Sequence, residues 1–122
     1  MSAVATWAGV AALGGGGALA RFVVDRAVAG GVGRSLPFGT FAVNVTGAVA
    51  LGLVTGLGAR GDTRLLAATA ALGSYTTFST WMLESHRLAE DGRLRLGVVN
   101  LLASLVAGVA VAWLGRQIGG AL

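Results

Sequence analysis

Gly73-Ser74-Tyr75-Thr76-Thr77-Phe78-Ser79-Thr80-Trp81-Met82-Leu83-Glu84 places a glycine, five serine or threonine hydroxyls, aromatics and a carboxylate inside an apolar chain. Most of it falls in an uncharged run, 65–83, long enough to cross a bilayer. Polar groups without partners are costly there, so the stretch makes a poor lipid-facing helix. It has to be buried against protein or along a water-filled path, with the helix broken so that the freed backbone groups take up a function. The fold this predicts is an all-α membrane protein whose third helix is broken near its middle.

The rest of the chain agrees. Its 122 residues are 55% hydrophobic and 11% charged, with a mean hydropathy of +0.78, which is the membrane class. Charge-free runs cover 1–20, 35–59, 65–83 and 96–115, each close to the ~20 residues of a spanning helix. Four transmembrane helices use up the chain, so 1–122 is expected to be a single domain. In the first run the earliest positive charge, Arg21, follows the apolar stretch, which is the wrong order for a signal peptide. Without cysteine there is neither a disulfide nor thiolate metal ligation, and His86 alone cannot make a metal site. The net charge of +4 comes from arginines scattered at span ends, which fits interfacial anchoring and not nucleic acid.

Along the chain, Gly14–Gly17 reads as a close-packing face of the first span; a dinucleotide loop is rejected because no strand precedes it and no acid follows at the right distance. Residues 25–34, with three glycines, read as a short loop, and Arg21 can snorkel and pair with Asp25. Thr40, Asn44 and Gly47 fall at i, i+4, i+7 on one helical face, and Gly52-x-x-x-Gly56 gives a second packing site. Asn44 is read either as interhelical glue or as a pore ligand. Residues 65–72 read as a plain apolar helix that stops making sense at Gly73, with a second half-helix starting at Phe78. The hydroxyls of that region either bond back to i−4 carbonyls or line a path. Residues 84–95, mixed in sign, read as a solvated loop, with Glu84 paired to Arg87 or set beside a pore. The last span carries Asn100, Ser104 and Gly108 at i, i+4, i+8, a polar stripe.

Gly73-x-x-Thr76-Thr77-Phe78-Ser79-Thr80-x-x-x-Glu84 resembles the third-helix signature of the Fluc (CrcB) fluoride channels, with Trp81 standing where the family has Phe. Gly17-Ala18-Leu19-Ala20-Arg21-Phe22 and Gly39-Thr40-Phe41-Ala42-Val43-Asn44-Val45-Thr46-Gly47 are similar to its first- and second-helix motifs, so the resemblance spans nearly the whole chain. It implies a passive channel in a prokaryotic plasma membrane that lets cytoplasmic fluoride escape and so reduces its toxicity. It also implies an antiparallel, dual-topology dimer with a central structural sodium ion, held by the backbone carbonyls of Gly73 and Thr76. The implied fluoride path comprises Asn44, Phe78, Trp81, Thr77, Ser79, Thr80, Asn100 and Ser104. Arg21 and Glu84 are implied at a vestibule or in gating.

The chemistry suits that implication. Fluoride is small and strongly hydrated, and moderate neutral donors in series replace its water without trapping it as a buried arginine would. The ring edges of Phe78 and Trp81 add the positive rim of an aromatic quadrupole. No residue set does bond-making chemistry, so no enzyme is expected. Two rivals remain: a four-helix proton-coupled multidrug exporter, which relies on a carboxylate in its first span where residues 1–20 have none, and a non-conducting membrane assembly subunit, which needs no matched donors on three spans. With Arg21 set aside as part of the first span, the arginines are expected to split five (Arg26, Arg34, Arg87, Arg93, Arg95) against three (Arg60, Arg64, Arg116) across the membrane. So mild a bias is compatible with a homodimer inserted both ways or with a heterodimer with a paralogue.

Overall fold

The computed structural model describes residues 1–122 and contains helices and turns but no strand. Helix α1 (Ala3–Val32) begins at Ser2, whose hydroxyl accepts the Ala5 N–H, and ends at Gly33, whose φ of 83° is the left-handed geometry that suits glycine. Helix α2 (Phe38–Gly56) follows Pro37. Next comes a helical stretch made of α3 (Gly61–Arg64), a π-helical segment (Leu65–Leu72) and α4 (Gly73–Tyr75). Thr76 is extended, with φ −79° and ψ 159°, and helix resumes only with α5 (Ser79–Glu90). Gly92, at φ 78°, turns the chain into α6 (Leu94–Ala121).

Three helices, α1, α2 and α6, are long and apolar enough to cross a membrane, with 30, 19 and 28 residues. The remaining membrane-length run of the sequence, 65–83, is the interrupted one, so no single helix carries it. The predicted loops are shorter than expected: α1 runs through Gly30 and Gly31 to Val32, and α5 continues through Glu84 to Glu90. Residues 65–72 are π-helical where a plain α-helix was expected. Gly73 itself has φ −62° and ψ −35°, ordinary helical values, so the chain leaves the helix three residues later than the glycine suggested and without using its freedom.

Packing follows membrane rules. Only Val43 is a fully buried large side chain, while Leu102, Val106 and Trp113 of α6 are exposed, as lipid-facing residues should be. Helix cohesion therefore comes from close backbone approach. α2 and α6 form the most extensive pair: Gly52 and Gly56 lie against the backbone at Ala112 and Arg116, and Gly115 and Gly119 of α6 lie against Val49 and Leu53 of α2. The pairing is a reciprocal small-x-x-x-small seam; the sequence showed one half of it, and the matching glycines of α6 were missed. Gly17 lets α1 sit on the Ala71 carbonyl, and Gly97 brings α6 onto the Ser85 carbonyl. These contacts fasten the third segment between α1 and α2 on one side of its interruption, and to α6 on the other.

Candidate functional site: an interrupted helix clamped by one face of α2

The i, i+4, i+7 face of α2 meets the third segment at each of its three positions. Thr40 donates its hydroxyl to Glu84 Oε1. Asn44 makes two bonds to one residue, donating Nδ2–H to the Thr77 carbonyl and accepting the Thr77 N–H at Oδ1, both at 2.8 Å. Gly47 leaves room for Thr76 and Tyr75 to pack where a Cβ would collide with them. Asn44 thus acts as a detached peptide group, satisfying the donor and the acceptor that the chain exposes where it leaves the helix.

Thr77 is the centre of a second set of bonds. Its hydroxyl accepts the Thr80 N–H at 3.2 Å, capping the start of α5, and donates to Thr80 Oγ1 at 3.0 Å, with Ser79 Oγ at 3.5 Å. Thr76 instead bonds back to the Leu72 carbonyl at 3.0 Å, so the back-bonding reading holds for that hydroxyl alone within the cluster. Because the Thr77 N–H goes to Asn44, the Gly73 carbonyl loses the i+4 partner it would have in a continuous helix. The Thr76 carbonyl accepts Arg21 Nη1–H at 3.4 Å, a contact the sequence did not reveal. Arg21 does not pair with Asp25; Asp25 bonds Arg34 at 3.3 Å. Glu84 takes Thr40 and not Arg87, because α5 continues past it and turns it toward α2.

Three hollows run past these groups. A charged one of about 290 Å³ includes Asp25, Arg34, Glu84 and Arg87. It shares Asp25 with a crevice of about 230 Å³ lined by Arg21, Thr40, Thr77 and Thr80. That crevice shares Thr77 with an open groove of about 400 Å³ between α2, the third segment and α6, where Asn44, Gly73, Thr76, Phe78, Trp81 and Ser104 converge. Phe78 and Trp81 meet edge to face, with centroids 5.7 Å apart and planes at 88°. Phe78 is 69% exposed, so one of its faces has no partner in this chain. Asn100 stands apart from the groove, its Nδ2–H donated to Ser85 Oγ at 2.8 Å, so the polar stripe of α6 divides: Asn100 serves α5, while Ser104 and Gly108 line the groove. Ser85 escaped sequence reasoning, and its spacing of four from Trp81 is the signal that could have found it.

Apolar rods fastened by glycines around a polar interruption define a multi-pass helical membrane protein. A family model described as "CrcB-like protein, Camphor Resistance (CrcB)" matches residues 8–116, and the chain belongs to that family, the Fluc (CrcB) channels. It is 50% identical over 118 residues, 97% of both chains, to "Fluoride-specific ion channel FluC 2" of Mycolicibacterium paratuberculosis. It is also 50% identical over 115 residues, 94% of this chain and 91% of the relative, to the protein of that name from Mycobacterium tuberculosis. "Fluoride-specific ion channel FluC 1" of Symbiobacterium thermophilum is 39% identical over 120 residues, 93% of this chain and 97% of the relative.

Proposed function

We propose that the chain is a fluoride-specific channel through which cytoplasmic fluoride leaves a prokaryotic cell passively across the plasma membrane. The observation that carries this reading is the set of three hollows beside the interruption, neighbouring ones of which share Asp25 and Thr77 as lining residues. Such a set offers an anion a charged entrance at Glu84 and Arg87 and a crevice where the Thr40, Thr77 and Thr80 hydroxyls stand beside Arg21 and Asp25. Beyond it lies a groove walled by the Phe78 and Trp81 ring edges and the Ser104 hydroxyl. Neutral donors in sequence favour entry without preventing exit. Asn44 takes part chiefly as the clamp on Thr77; Nδ2 keeps a second N–H for an ion.

The groove is open on one side, and the exposed Phe78 borders it, which supports completion by a second copy inserted antiparallel. In that dimer the third segment of each copy is a broken helix crossing its partner's. The Gly73 carbonyl, freed by the Asn44 clamp, and the Thr76 carbonyl, on extended backbone with one lone pair left beside its Arg21 contact, are oxygen ligands of the kind a hard cation takes. Both residues line the groove, and Gly73 is exposed, so the donor set fits a structural sodium ion bound by carbonyls from both copies. When bound, the cation supplies charge to hold the two interruptions together.

The test is purified protein in liposomes loaded with fluoride or chloride. Fluoride is expected to leave rapidly and chloride hardly at all, without a proton gradient. Equal chloride flux would end the selectivity claim, and absence of fluoride flux until a homologue is added would replace the homodimer by a heterodimer.

A further inference from the structure

Trp81 stands in the groove, and its indole N–H is not aimed at the open space. Nε1–H donates to the Asn100 carbonyl of α6 at 3.3 Å. Asn100 Nδ2–H donates to Ser85 Oγ at 2.8 Å, and Ser85 Oγ–H donates to the Trp81 carbonyl at 2.9 Å. The three bonds close a circuit that begins and ends on Trp81 and crosses the α5–α6 contact twice. Ser85 is only 5% exposed, and Gly97 brings α6 onto its carbonyl, so the circuit lies in the tightest part of that contact.

We propose that Trp81 is a positioning and specificity-determining residue, tethered to α6 through this circuit, that shapes the anion path with its ring and does not donate its N–H to the ion. The inference rests on the fluoride-channel reading and extends it to one residue's role. An indole free to rotate would present a strong N–H donor to any anion able to accept it and would widen or narrow the groove as it moved. Fastened to α6, it offers a fixed wall of fixed width, and its edge-to-face contact places Phe78 as well. The indole N–H, the Ser85 hydroxyl and one Asn100 N–H are each bonded within it, and no buried side-chain donor or acceptor is left without a partner. A rigid wall whose indole donor is already engaged discriminates by size and by ring-edge polarity, the two properties that separate fluoride from a larger halide.

The test uses the full chain with Trp7→Phe and Trp113→Phe, both positions being exposed, so that Trp81 gives the single indole N–H resonance. In nitrogen-labelled protein that resonance is expected to stay fixed as sodium fluoride replaces sodium chloride, and to move in Ser85→Ala and in Asn100→Ala. Liposome fluoride flux is expected to fall about tenfold in Ser85→Ala, which removes two of the circuit's three bonds. Trp81→Phe combined with Ser85→Ala is expected to be no slower than Trp81→Phe alone, because either change opens the same circuit. An indole resonance that shifts with fluoride but not chloride would make the N–H an ion ligand and overturn the proposal, as would flux losses that multiply in the double variant. If Ser85→Ala does not fold, Asn100→Ala carries the same comparison. Wild-type protein without flux would sink the channel reading, and the indole shift in the two variants would still decide the tether.

Discussion

Replacing Asn44 with alanine tests whether the interruption of the third segment is held from α2. The side chain makes two bonds of 2.8 Å to the N–H and carbonyl of Thr77, which is 8% exposed. Truncation strands both groups, and an unsatisfied buried donor or acceptor costs about 1–3 kcal/mol. Membrane hydrogen bonds measured singly average nearer 0.6 kcal/mol, because the unfolded chain in lipid finds other partners. Two bonds to adjacent groups of one residue therefore give about 2 kcal/mol, on the order of thirtyfold in the unfolding equilibrium. Asn44→Asp should cost at least as much: one oxygen still accepts the Thr77 N–H, but the other now faces the Thr77 carbonyl and repels it. The assay is reversible unfolding in mixed micelles, with amide hydrogen exchange followed at Thr77. Wild-type stability together with unchanged Thr77 protection in Asn44→Ala would refute the clamp and leave Asn44 free to act as an ion ligand only.

Gly52→Ala should destabilise the fold by about 1–3 kcal/mol, since the new methyl meets the Ala112 carbonyl, while Gly15→Ala, which meets nothing within 4 Å, should change stability by less than about 1 kcal/mol; thermal unfolding in detergent compares them. Gly73→Ala should leave helix content and single-chain stability unchanged, because the backbone there is helical and the nearest atom to a new Cβ is the Ala68 carbonyl oxygen at 3.8 Å. It should nonetheless weaken cross-linking between copies in sodium buffer, and loss of helicity by circular dichroism would show that glycine is needed within the chain itself.

The sequence by itself determined the membrane class, the three long apolar helices and the singular character of 73–84, because charge-free length and the cost of unpaired polar groups in lipid act on composition and order alone. It also placed Thr40, Asn44 and Gly47 on one face, since helical periodicity needs no tertiary information. Which residue each of them meets was decided only in three dimensions, by how closely glycines let α1, α2 and α6 approach. That approach sets Asn44 opposite Thr77 and Thr40 opposite Glu84, and it shifts the departure from helix to Thr76, where the Asn44 amide waits to pair with Thr77. Asn100 and Ser104 look alike in the pattern of α6, four residues apart on one stripe. They part because Ser85 lies within 2.8 Å of the first, while the second borders open groove.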